Sequence, residues 1–337
     1  MARLGPMVAQ GLPVRQGAAS PARRQRLGYL AAGASDIHPM PKLRERIQSR
    51  AQKARKLVAK RARTKKRAKP VGPARPRRRL FGPVALRELC LVRAPALPIH
   101  PNAMGRQIQV ATYNVHRWTG LNGRSDPDPA RACFVISELD ADVIALQEVL
   151  RPLQGEDPLE RLADVMGFHL AFAATRTHRH GELGNAILSR SPILNVSILD
   201  LSFSRLERRV AVAARFETDQ SSLGVVATHL ALVDRTRHRQ VRELLDHPQL
   251  LTGPVILLGD MNAWRRCKAT RALEGAMQGH EEFEWPPSFP AAAPVLALDR
   301  VYARGARIMD VRTHATAAAR RASDHLPVLA QVELPAA

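Results

Sequence analysis

Acid is what the first third of this chain lacks. Residues 1–106 contain 3 Asp+Glu against 26 Lys+Arg, a balance of +23, whereas residues 107–337 contain 27 against 26, a balance of −1. The overall charge of +22 therefore describes a tail rather than a domain. Any argument from charge to a polyanionic partner reaches only that tail. Cysteine is scarce as well. Cys90, Cys133 and Cys267 are odd in number and far apart, with no Cys-x-x-Cys pair. This excludes a disulfide framework and a cysteine zinc cluster, and fits a reducing, cytoplasmic location. No apolar run approaches the ~18 residues that a membrane-spanning helix needs. The first 20 residues lack the continuous apolar core of a signal peptide. The basic segment itself has weak helical spacing over 43–70 and then "PARPRRR" (73–79), where proline forbids a helix. It reads as a largely disordered extension. The sharper reading is an electrostatic arm whose partner is nucleic acid or an anionic membrane.

Beyond residue 106 the texture changes. Strand-length apolar runs appear at "IQVATYN" (108–114), "DVIALQE" (142–148), "NAILS" (185–189), "VAVAARF" (210–216), "GVVATHL" (224–230), "VILLGD" (255–260), "LALDRVYA" (296–303) and "PVLAQVEL" (327–334). Several are too continuously apolar to have one wet face, which marks central strands covered on both sides. Helical patterns fall between them at 128–139, 158–166 and 234–246, the first opened by Asp and Pro in helix-start positions. Strands alternating with helices predict one α/β domain over 107–337, preceded by the extension 1–106, and expected to be a monomer.

Six of these runs adjoin a residue with metal-binding or acid–base chemistry: Asn114 with His116 beyond it, Glu148, His229, Asp260 with Asn262, Asp299, and Asp324 with His325 just before the last strand. Taken singly, a carboxylate after a strand is more often a turn former or helix cap, and a lone histidine more often structural. Six strand ends finishing alike point instead to a site at one edge of an α/β sheet. The set "ATYNVH", "ALQEV", "GNAILSR", "ERRVAVAARF", "VATHL", "LLGDMNA", "ALDRV" and "SDHLPV" resembles the endonuclease/exonuclease/phosphatase superfamily, over about 107–334 and in the family's order. That group includes deoxyribonucleases, abasic-site endonucleases, neutral sphingomyelinases and inositol polyphosphate 5-phosphatases. The compact form looks most like a small bacterial branch. The resemblance implies a four-layer α/β/β/α sandwich of two mixed β-sheets with helices outside, the deoxyribonuclease I-like fold.

The same resemblance implies a hydrolase that cleaves a phosphodiester by metal-assisted attack of water. Oxygen ligands without a cysteine cluster suit Mg²⁺ or Mn²⁺. Glu148 and Asn114 are the expected metal ligands, with Asp324 binding directly or through water. Asn114 also serves to hold a phosphate oxygen. Asp260 is expected to orient or deprotonate the water and Asn262 to donate to a phosphate oxygen. Asp299 is expected to fix His325, which faces the phosphate, and His229 to protonate the leaving oxygen or stabilise charge. Arg209 is the expected phosphate-contacting arginine, with Arg208 beside it. His116 stands where some relatives carry an aspartate. His178, His180 and Glu182 are expected in a loop near the mouth, without a chemical role. Nucleic acid, a phospholipid headgroup and a small phosphate monoester compete as substrates. Local basic clusters (Arg235, Arg237, Arg239, Arg242; Arg265, Arg266, Lys268) offer contacts to a polyanion. The alternative function is a non-catalytic module that binds nucleic acid or an anionic membrane through the basic tail.

Overall fold

The computed structural model describes residues 90–97, 103–203, 207–219, 221–278 and 283–335. Most of the basic extension, including the stretches 43–70 and 73–79, lies outside the described residues. Twelve strands form two sheets. The first is ordered β1(Cys90–Arg93), β4(His169–His178), β5(Gly181–Ser189), β3(Val143–Arg151), β2(Gln107–Asn114), β12(Val328–Glu333), β11(Arg307–Thr313). The second is ordered β10(Asp299–Arg304), β9(Val255–Asp260), β8(Ser222–His229), β7(Val210–Glu217), β6(Ile193–Asp200). Both are mixed: β2 with β3 and β8 with β9 run parallel, and the other pairs antiparallel.

The period of two along each strand sorts the apolar side chains into separate layers. Val143 and Ala145 of β3 face inward and pack with Val212, Val225, Ile256 and Leu258 of the other sheet. Ile144 and Leu146, one residue out of phase, meet Val135 and Ile136 of α1(Pro129–Glu138) and Leu159 and Leu162 of α2(Pro158–Met166). On the far side, Val226 and Leu257 pack with Val241 and Leu244 of α3(Asp234–Leu245) and with Leu273 of α5(Lys268–Leu273), beyond the short α4(Pro248–Leu251). Helices, sheet, sheet and helices thus make the four layers, and both sheets are buried on two faces. The caps follow local chemistry. Asp128 and Asp157 accept the Ala130 and Leu159 N–H groups ahead of Pro129 and Pro158, and Gly167 ends α2 at φ 66°. Among the described residues no helix is long and apolar enough to cross a membrane.

Two expectations change. The first sheet begins upstream of residue 107: β1 pairs antiparallel with β4, and Arg93 bonds Glu160 at 2.6 Å and Asp164 at 2.5 Å on α2. Four residues followed by a proline-rich link are too short to show a strand period. His178, His180 and Glu182 belong to the β4–β5 hairpin rather than to a loop: His178 closes β4, and Glu182 is buried in β5.

Candidate active site

Parallel pairing brings strand ends together. In the β8–β9 ladder the last register partners are His229 and Asp260, and Asp260 is also opposite Asp299, the first residue of β10. In the other sheet Asn114, the last residue of β2, is opposite Gln147. The two sheets meet here: Asn114 Nδ2 donates to Asp260 Oδ2 at 3.1 Å. Gly259 lets β8 and β9 lie close together just before Asp260. At φ 149° a side chain would be strained, and any Cβ would collide with the Thr228 carbonyl of the neighbouring strand.

Asp260 is the hub of the cluster and is almost fully buried. Its Oδ1 accepts the Asn262 backbone N–H at 2.9 Å. Its Oδ2 lies 3.3 Å from His229 Nε2 and 3.8 Å from His325 Nε2. His325 Nδ1 lies 2.7 Å from Asp299 Oδ2, which also accepts the Ser288 hydroxyl at 2.5 Å. The His325 ring stacks on Phe289 with centroids 5.0 Å apart. Ser323 ties the loop down, its hydroxyl donating to the Asn114 carbonyl at 2.6 Å and accepting the His325 N–H at 3.2 Å.

The two histidines are driven apart. Burial opposes the charge on His325, but Asp299, Asp260 and Asp324 outweigh it and push the imidazole up to about 10. Burial, reinforced by Arg209, His325 and Arg176, holds His229 well below its usual basicity. His229 lies within ion-pair distance of Asp260, yet a neutral imidazole cannot form an ion pair. That contact places an uncharged ring against the carboxyl. Burial raises Asp260 despite the opposing His325 charge and the N–H donors of Asn262 and Asn114. Asp324 is raised by burial and by Glu148, against His325 and His116.

A buried aspartate beside one neutral and one protonated histidine, at an edge where two sheets converge, is a hydrolytic arrangement, and the sequence pattern of one family matches residues 111–325. The chain belongs to the endonuclease/exonuclease/phosphatase family. Members of this family generally hydrolyse phosphoester bonds. The chain is 30% identical to YbhP of Escherichia coli K12 over 253 residues, covering 67% of this chain and 96% of that protein. The fold is shared with an endonuclease/exonuclease/phosphatase from Beutenbergia cavernae (TM-score 0.55, 24% identity, 69% of this chain and 72% of that one). It is shared too with a conserved protein from Enterococcus faecalis (TM-score 0.56, 21% identity, 68% and 100%).

The remaining family positions lie around this hub. Glu148 stands one residue past Gln147, at φ 54° in a break of the β3–β5 register, with Arg117 Nε 3.5 Å from its Oε2. Asp324 pairs with His116 Nδ1 at 3.1 Å. His116, Arg117, Trp118, Glu148 and Asn262 all have positive φ, so backbone strain gathers at this edge. Trp118 pins the turn by donating from Nε1 to the Leu150 carbonyl at 2.6 Å. Asn262 spends one amide hydrogen on the Leu230 carbonyl at 2.8 Å. Arg209 is largely buried, pairs with Glu207 at 3.2 Å and leaves a buried Nε without a partner, whereas Arg208 is exposed. The geometry favours Arg209 of the two.

The residues present fit a hard divalent cation. Asp299 Oδ1 is buried without a partner, and Asp260, Asp299 and His325 offer atoms within 4.8 Å of one another. His325, protonated and bonded to Asp299, has no lone pair to give. The expected ligands Asn114, Glu148 and Asp324 are oxygen donors, the kind that such a cation prefers. Burial raises both Asp260 and Asp324, and a cation bound beside them would favour their charged forms. Ser288, Ser323 and Arg117 escaped the sequence reading. Ser323 alone carried a signal, as the serine of "SDH". Arg237, grouped above with exposed arginines, is fully buried: it donates to the Ala231, Leu232 and Asn262 carbonyls and pairs with Asp234.

Proposed function

We propose that this protein is a Mg²⁺- or Mn²⁺-dependent phosphodiesterase that hydrolyses its substrate by direct attack of water. The observation that carries the reading is Asp260: a buried carboxyl held by Asn114 and Asn262 between a neutral and a protonated histidine. Asp260 orients the attacking water and takes its proton. Its raised pKa places its basicity near the neutral range, where a general base works best. Asp299 and Ser288 fix the His325 ring, so that its Nε2–H faces the phosphoryl oxygens with a full positive charge. His229, neutral, lies against Asp260 rather than serving as an acid. Arg209 and the spare amide hydrogen of Asn262 bind phosphate oxygens. Asn114, Glu148 and Asp324 would hold the cation, which when bound offsets the charge that builds on phosphorus and the leaving oxygen.

The test is a panel with Mg²⁺, Mn²⁺ and EDTA: bis(p-nitrophenyl) phosphate, plasmid DNA, RNA, abasic duplex, anionic phospholipid and sugar phosphates. Metal-dependent release of p-nitrophenol that Asp260→Asn abolishes supports the reading. Absence of turnover on every member with both metals sinks it.

A further inference from the structure

The edge that carries Asp260 also carries large apolar side chains that remain exposed among the described residues. Leu232 and Val233, in the loop from β8 into α3, are 56% and 57% exposed, and Trp264, two residues past Asn262, is 40% exposed. Buried Arg237 ties them to one place. Its guanidinium donates to the Leu232 carbonyl at 3.2 Å and to the Asn262 carbonyl at 2.9 Å, and its Cζ lies 5.8 Å from the Trp264 ring centre. Phe203, 36% exposed beyond β6, adjoins them. Glu207 of its loop accepts the Leu232 N–H at 3.3 Å, and Arg239 Cζ sits 4.5 Å over its ring. Single exposed apolar residues are ordinary, but four gathered on loops beside a reaction centre mark an interaction surface.

Arginines outnumber acids around this patch, although Asp234, Glu207 and Glu243 also lie there. Arg235, Arg239 and Arg242 follow i, i+4, i+7 spacing and form an exposed stripe on α3, opposite its buried face of Arg237, Gln240, Val241 and Leu244. Among the described residues, neither Arg235 nor Arg242 has an ion-pair partner. Aliphatic side chains, an indole and unpaired arginines together suit the boundary of an anionic bilayer. There the apolar groups enter the headgroup region and the arginines meet lipid phosphates. Single-stranded nucleic acid would use the aromatics and arginines and leave Leu232 and Val233 without a role. We propose that Phe203, Leu232, Val233, Trp264 and the arginine stripe of α3 form a docking face for an anionic phospholipid surface. This face sets the Asp260 edge against the headgroup plane. Docking stands on its own; the substrate it implies, a phosphodiester within a lipid headgroup, rests on the phosphodiesterase reading.

Tryptophan fluorescence of the full chain tests this face apart from the basic tail. Trp118 is buried and Trp285 packs against the core, so a lipid-dependent change reports on Trp264. Vesicles of equimolar phosphatidylglycerol and phosphatidylcholine should shift the emission to the blue and protect it from acrylamide. Pure phosphatidylcholine should do neither, and Trp264→Phe should lose the response. Leu232→Glu with Val233→Glu, both at exposed positions, should weaken vesicle binding on the order of tenfold or more, with the fold checked by circular dichroism. The proposal is overturned if Trp264 emission stays unmoved while the protein cosediments with vesicles. It is overturned too if oligothymidylate moves the emission and vesicles do not, or if the double variant binds like wild type. Turnover of soluble bis(p-nitrophenyl) phosphate in the same buffers reads the phosphodiesterase function separately. Its absence would remove that function and leave the docking face standing.

Discussion

Asp260 Oδ2 lies within 4 Å of two histidines, and the charges around those histidines differ. His325 has Asp299 at 2.7 Å on its far nitrogen, while His229 faces Arg209 and Arg176. Three expectations follow. Asp260→Asn should keep the fold and lower turnover by at least ~10²-fold, because the amide cannot take the water's proton; a folded variant with near wild-type turnover would defeat the mechanism. By NMR, His325 should remain protonated through neutrality and titrate near 10. Asp299→Asn should bring that titration down; no movement would remove Asp299 as its cause. The stability effect of His229 has the opposite sign. A histidine depressed below 6.5 in the fold lets the unfolded chain take up a proton first, so its contribution is present above pH 6.5 and lost as pH falls below it. The melting temperature of wild type should therefore drop more between pH 7.5 and 5.5 than that of His229→Gln. Parallel curves would mean that His229 is not held neutral.

At the scale of elements, the site depends on loops fixed from beneath. Arg237, on the buried face of α3, donates to carbonyls of the loop after β8 and of the turn after β9, and Gln240 Oε1 accepts the Ala231 N–H at 2.8 Å. Removing the guanidinium leaves buried carbonyls unpaired, a loss of about 1–3 kcal/mol for each unsatisfied group. Arg237→Met, which nearly keeps the volume, should lower thermal stability and lower kcat through a displaced Asn262. Chemical denaturation and steady-state kinetics measure the two effects, and a variant as stable as wild type would show these bonds to be idle. Glu148 depends on its element in another way. The broken register at 147–148 turns it out of the strand row. Glu148→Gln should raise the Mg²⁺ concentration needed for half-maximal turnover without unfolding the protein. Full activity at limiting Mg²⁺ would remove it from the ligand set.

For the whole molecule, β1 (Cys90–Arg93) covers the edge of β4. A chain beginning at Met104 loses that strand and both Arg93 ion pairs. It should be less stable than one from which only 1–85 are removed, and more prone to associate through the bared edge. Thermal denaturation and light scattering of the two truncations check this. Equal stability would place β1 outside the cooperative unit.

Much of this protein is legible in its residue order, for a physical reason. A strand buried on both faces must be continuously apolar, so β2, β3, β7, β8 and β9 announce themselves, and the polar residue that ends each marks the edge of the sheet. Asp-Pro starts and apolar spacing do the same for α1 and α2. Strands with mixed or small side chains, such as β4 and β11, or only four residues, as in β1, lack a period and are invisible without their partners. Which strand ends meet is likewise not a local property. Only the packing of one sheet on the other carries Asn114 to Asp260. Only three dimensions put Asp299 behind His325 and arginines beside His229, leaving one of two identical side chains charged and the other neutral. A residue type sets what a group can do; its burial and its neighbours decide its charge state.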